Sequence, residues 1–310
     1  MVTITANADI ALDMYETGIG SSLSQNISEI QSNRIDLVRG SNYFEILEGA
    51  GFGINNENSV TGIVSKITET VNNVKSFVIE GMSTSADSIL TWGENRDYQA
   101  FFDHILTGSD AITGSNLDDR VFSSSGNDVI KTGLGDDDID AGSGYNVIDG
   151  GGGYDNLHLA GNVKDYNIIR SGETYILTSN IDNVKTNGVE LFSFDNGDEI
   201  TIAELQSKIQ PFSGLNYAAS YDDIRKAFGA DSGAAESHFE KFGFNEGRNP
   251  NKFEPLSYIA AYSDLRTAFG VKADDATRHY INFGVNEGRD IRFDGMAYLA
   301  SNSDIRAAFG

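Results

Sequence analysis

Six oxygen-bearing side chains recur at intervals of nine residues: Asp110, Asp119, Asp128, Asp137, Asn146 and Asp155. Two residues after each stands an apolar side chain, at Ile112, Val121, Ile130, Ile139, Ile148 and Leu157. Two residues before each stands glycine, at 108, 126, 135, 144 and 153, with Leu117 the one exception. Carboxylates repeated so closely repel one another, so an ordered structure needs a cation between them. Oxygen donors of this kind suit a hard ion with six to eight ligands at about 2.3 to 2.6 Å, which describes calcium. Magnesium demands a smaller octahedron and retains its waters, so it fits this donor set poorly.

The spacing also dictates the elements that must hold these groups. A short strand around each apolar residue points one side chain inward, and the preceding glycines take turn conformations that other residues avoid. Successive ninths then lie on opposite sides of a flattened coil with 18 residues per turn, so aspartates 18 apart stack. The expected pairs are Asp110 with Asp128, Asp119 with Asp137, Asp128 with Asn146, and Asp137 with Asp155. Backbone carbonyls near Gly126, Gly133, Gly135, Gly142, Gly144, Gly151 and Gly153 are expected to complete the metal sites. Asn146 keeps an oxygen but loses a charge, so the sites it shares are expected to be weaker. Leu117, Ser123 and Ser124 replace glycines in the first turns.

The stretch GNDVIKTGLGDDDIDAGSGYNVIDGGGGYDNL, residues 126–157, resembles the GGxGxDxUx repeat of the RTX, or haemolysin-type calcium-binding, family. LAGNVKDYNIIRSGETYILTSN and GVELFSFDNGDEI are similar to the β cap that often follows such a roll. Residues 50–114 are similar to a β module that often precedes it. The resemblance covers about 50 to 205. It implies a calcium-filled parallel β-roll, export by a type I machine in an unfolded state, and no N-terminal signal peptide.

Outside the ladder, YFEIL, SVTGIVSKI and VKSFVIEGM, separated by Gly, Asn and Ser, predict an antiparallel β module over 1–106. RDYQAFFDHIL, from Arg96 to Leu106, predicts one short helix at its end. The roll is placed at 107–160 and its β cap at 161–210. From 211 to 310 the pattern is helical and repeats: YAASYDDIRKAFG at 217, YIAAYSDLRTAFG at 258 and YLASNSDIRAAFG at 298. Ser263 is expected to cap one helix, and Gly270 and Gly284 to end helices in left-handed conformations. The two NEGR runs, at 245–248 and 286–289, place Glu and Arg where they can pair. The expected fold class is therefore multi-domain: an antiparallel β module, a parallel β-roll with a β cap, and small α-helical repeats, two complete and one partial.

The formal charge of −24 over 310 residues argues against nucleic acid or an anionic membrane as partner. No run of apolar residues is long enough to span a bilayer, and the N-terminus lacks the basic and apolar regions of a cleavable signal. Cysteine is absent, which excludes disulfides and thiolate chemistry. Of the four histidines, His104, His158, His238 and His279, none belongs to a catalytic motif, so no enzyme activity is expected. Together with the export that the RTX resemblance implies and the partial third helical repeat, these features lead to the expectation of a secreted, calcium-binding structural protein, extracellular or at the cell surface, that assembles with copies of itself into a layer, filament or matrix. The alternatives are a calcium-dependent adhesin that contacts a cell-surface glycan and an accessory region of a secreted enzyme.

Overall fold

The computed structural model describes residues 1–14, 27–39, 43–57, 59–171, 173–209 and 212–291. The chain divides into two compact units, Met1–Gln210 and Pro211–Gly310. The partial third helical repeat at 298–310 lies outside the described residues.

The inward apolar ladder builds the centre of the first unit. On one wall Ile112 pairs in parallel with Ile130, and Ile130 with Ile148. On the other wall Val121 pairs with Ile139, and Ile139 with Leu157. All six are at most 1% exposed. These are three rungs of 18 residues, each crossing from one wall to the other.

The stack is longer than its nonapeptides. At one end Thr3–Ala6 lies parallel to Ala111–Thr113, with Ile4 over Ile112, and Asp13 bridges to Arg120 in parallel. At the other end Asp182–Asn187 lies parallel to Ser143–Gly152, and Leu191–Phe194 lies parallel to Asn156–Leu159. Residues 182–194, expected in a separate cap, are thus a further rung. The hairpin of Asn167–Ser171 and Thr174–Thr178 is inserted ahead of it and pairs with its first strand. The segments expected at 1–106, 107–160 and 161–210 share one unit, because end rungs drawn from the flanking segments bury the apolar ends of the repeat stack.

Thr3–Ala6 joins the roll to the N-terminal module, since its other edge pairs antiparallel with Val74–Ser85. The antiparallel sheet continues through Val60–Val71, Tyr43–Ile54, Arg34–Arg39 and Ile27–Gln31. Two helices follow this sheet rather than one. Ala86–Asn95 is capped by the Ser85 side chain and buries Ile89, Leu90 and Gly93 at helical spacing, and Tyr98–Ile105 buries Phe101 and Phe102.

In the second unit each described repeat has three short helices and a π-turn, Phe239–Gly243 in the first and Tyr280–Gly284 in the second. Tyr217 and Tyr258 are fully buried and share hydrogen bonds of 3.1 and 3.0 Å with His238 and His279. Gly284 is not a left-handed stop: a side chain there would collide with the Tyr258 hydroxyl, and Gly288 takes the positive φ instead. Ser263 is the first residue of its helix, which has no side-chain cap. Each NEGR arginine pairs within its own repeat, Arg248 with Glu246 and Asp223, and Arg289 with Glu287 and Asp264. Among the described residues no helix is long and apolar enough to cross a membrane.

Candidate metal sites in the turns of the roll

The strands leave two columns of turns, one on each edge of the roll. Asp110, Asp128 and Asn146 occupy one column, and Asp119, Asp137 and Asp155 the other. All six side chains are at most 2% exposed. In each column one oxygen of the side chain accepts the backbone N–H of the equivalent residue 18 earlier. The distances are 2.8 Å for Asp110 to Asp128, 2.8 Å for Asp119 to Asp137, 3.0 Å for Asp128 to Asn146 and 3.0 Å for Asp137 to Asp155. The ladder residue therefore clamps two rungs together before any ion is considered.

Both columns are extended by residues that the ninefold count does not reach. The N–H groups of Val2 and Leu12 donate to Asp110 and Asp119. The Asp155 N–H donates to Glu190 at 3.0 Å. The signal for Glu190 is present in Gly188-Val-Glu-Leu-Phe192, which keeps the glycine, acid and apolar spacing with Glu for Asp. For Val2 and Leu12 there is none, because they contribute only backbone. A second clamp runs one residue ahead: Asp118, Asn127 and Asp136 accept the N–H groups of Asp136, Tyr145 and Tyr154 at 2.8 to 3.0 Å. Its Asp/Asn pattern at 118, 127 and 136 was available in the sequence.

The second carboxylate oxygen distinguishes the rungs. On Asp128, Asp137 and Asp155 it is buried and has no hydrogen-bond partner among the described residues. The Ser123 and Thr132 hydroxyls lie beside Asp128 and Asp137. Each has one proton, given to a carbonyl of the next rung, Ala141 at 2.9 Å and Gly150 at 2.8 Å. An unpaired buried carboxylate oxygen is costly. Burial accordingly pushes the Asp128 and Asp155 carboxyls up to about 6, against the opposing effect of their hydrogen bonds, and raises Asp137 in the same direction.

Asp119 and Asn146 are satisfied differently. The Ser115 N–H and hydroxyl donate to the two Asp119 oxygens at 2.6 and 2.9 Å. Asn146 donates its Nδ2 to the carbonyls of Ala141 at 2.8 Å and Gly142 at 3.2 Å. Its oxygen is held by the Asp128 N–H, so each polar atom of the Asn146 amide has a partner.

The seven glycines expected near the sites all have positive φ. Gly144 gives the physical reason: a Cβ there would run into the carbonyl of Gly126 in the rung below. The same holds for Gly151 over Gly133, Gly153 over Gly135 and Gly142 over Ser124. Main-chain carbonyls thus line the turns together with the ladder carboxylates. Among the described residues no three His, Cys, Asp or Glu side chains converge. The donor set is single carboxylates plus carbonyls, which fits calcium and does not fit a transition metal.

A model of the RTX calcium-binding nonapeptide repeat, in four copies, matches residues 113–148 and 124–157. The roll is an RTX calcium-binding repeat region. No curated protein matches the chain. Among solved structures it is similar to the extracellular lipase LipA from Serratia marcescens, with 25% identity and a TM-score of 0.28. That match covers 31% of this chain and 18% of the lipase, so the chain spans less than a fifth of that protein.

The remaining histidines sit in packed or paired settings. His158, in the RTX roll, is held by Asp138, and this pairing raises the imidazole and lowers the carboxyl. His238 packs between Phe228 and Phe242, and His279 between Phe269 and Phe283.

Proposed function

We propose that this chain is an exported structural protein whose RTX roll is completed by calcium outside the cell. The observation that carries this reading is the buried, unpartnered oxygen on each of Asp128, Asp137 and Asp155. These three carboxylates, with the carbonyls of their turns, are the residues that would hold the ions. Calcium, when bound, neutralises the carboxylates and ties adjacent turns together. Where free calcium exceeds a site's dissociation constant by about 100-fold, that site adds roughly 2.7 kcal/mol to folding. Low calcium inside a cell leaves the carboxylates in mutual repulsion, which keeps the chain compatible with export in an unfolded state.

The test is far-ultraviolet circular dichroism of the whole chain in chelator and then in millimolar calcium. The reading expects strand signal to appear on addition of calcium, and equal order in both conditions would sink it. The structural role, assembly with copies of itself, is supported by the tandem helical repeats, where Phe242 and Phe283 stand exposed at equivalent positions. Electron microscopy with and without calcium checks it, with dispersed particles in both conditions as the refuting result.

A further inference from the structure

The three turns with an unpartnered oxygen share a register with the turn of Asn146, and that register shows where the second side-chain atom points. Asn146 Nδ2 meets the carbonyls four and five residues earlier, Gly142 and Ala141. Asp155 Oδ2 likewise lies against Gly150, five residues earlier, where an added Cβ would meet it at 2.6 Å. At Asp155 the corresponding atom is a buried carboxylate oxygen with no donor among the described residues. At Asn146 an amide supplies the donors instead. The Asn146 orientation is fixed from both ends, because turning the amide over would set its NH2 against the Asp128 N–H and its oxygen against the two carbonyls.

We propose that Asn146 is a built-in substitute for calcium: its amide protons take the place of the ion at one turn, so this turn is held without metal while the turns of Asp128, Asp137 and Asp155 require it. This rests on the calcium reading of the roll. It divides the RTX segment into a turn whose contacts are complete at any calcium level and turns whose contacts calcium completes. The metal-independent turn is a middle one, clamped below to Asp128 and facing Val184 in the rung above.

Two opposite exchanges in the full chain test it: Asn146→Asp, which returns a carboxylate, and Asp155→Asn, which adds an amide. Calcium bound per chain is counted by native mass spectrometry and by calorimetric titration. Asn146→Asp should bind about one more ion than the wild type, and Asp155→Asn about one fewer. In chelator, Asp155→Asn should keep more strand signal than the wild type, because an amide there brings donors to its own turn, as Asn146 does. Unchanged stoichiometry in either variant, with calcium bound normally by the wild type, overturns this inference and leaves the calcium reading standing. Failure of Asn146→Asp to fold in saturating calcium also overturns it, since the new turn would be chemically equivalent to three that fold. A wild type that binds no calcium at all removes the calcium reading itself.

Discussion

The two turn columns of the roll have the same backbone and different chemistry. One reads Asp119, Asp137, Asp155 and Glu190, acidic from end to end. The other reads Asp110, Asp128, Asn146 and then Val184, which faces Asn146 in the next rung. Hydrogen bonds from rung to rung run through both, at 2.8 to 3.0 Å in each. What differs is the atom beside the one that clamps. At Asp128, Asp137 and Asp155 it is an acceptor with no donor, at Asp119 the Ser115 donors meet it, and at Asn146 the amide finishes the contact. Stacking the backbone is thus separable from the second contact, and a turn can lack the unpartnered oxygen while it keeps the clamp.

The strongest way to break this comparison is to truncate the same position in each column. Asp137→Ala removes the acceptor of the Asp119 N–H and the unpartnered oxygen together. In calcium it should cost about 3 to 5 kcal/mol, combining a lost ion site with a stranded buried N–H. In chelator the ion contribution disappears and the cost should fall to about 1 to 2 kcal/mol. Asn146→Ala strands the Asp128 N–H and takes a donor from the Ala141 and Gly142 carbonyls, of which Ala141 keeps the Ser123 hydroxyl, at about 1 to 3 kcal/mol. That cost should be the same with and without calcium. Urea unfolding in both conditions measures all four values, and a calcium-dependent penalty for Asn146→Ala would show that the two turns are not distinct.

Glycine exchanges sharpen the other half of the claim, that the backbone is common to both. Gly144→Ala and Gly153→Ala sit in opposite columns, both at positive φ and both with a carbonyl where the Cβ would go. Each should cost about 2 to 3 kcal/mol or more, since strain and collision add. Gly197→Ala, at a positive φ with open space around it, should cost only about 1 kcal/mol. Thermal melts in calcium compare the three.

Much of this was legible in the sequence because the repeat writes one side chain per structural role. Ile112 to Leu157 predicted the inward ladder, and Asp110 to Asp155 predicted the stacked turns. The end rungs were hidden for a physical reason. Val2 and Leu12 take part through backbone N–H groups, which any residue provides, and the rung at 182–194 is separated from its predecessors by an inserted hairpin. The contacts of Asn146 were not legible, because residue type gives its donors and acceptors but not which of them the fold uses. Only the Ala141 and Gly142 carbonyls decide that.

Acid should imitate calcium. Asp128 and Asp155 titrate at about 6 in the folded, metal-free chain against 3.8 in an ordinary setting, through burial. The folded state holds protons between those values that the unfolded state has released. The calcium-free roll therefore gains stability as pH falls from 6 toward 4, and loses it as pH rises through 6. With calcium bound the direction reverses, because protons then compete with the ion for the same oxygens. Melting temperatures at pH 4.5 and 7.5, with and without calcium, give the crossing. Replacing both residues by Asn should flatten the metal-free profile.

Glu190 offers the finest test, because it ends the acidic column with a side chain that sequence counting passes over. Its carboxylate accepts the Asp155 N–H and its charge helps to raise the Asp155 carboxyl, behind the larger effect of burial. Glu190→Gln keeps the acceptor and removes only the charge. Stability without calcium should then change little, by about 0.5 kcal/mol or less, as for other partly exposed charges. Calcium affinity should drop roughly twofold, and the metal-free acid transition should move to lower pH as Asp155 loses a neighbouring charge. A larger effect on the metal-free fold than on calcium affinity would mean that Glu190 serves the column as a clamp alone, and that its acidic chemistry stops at Asp155.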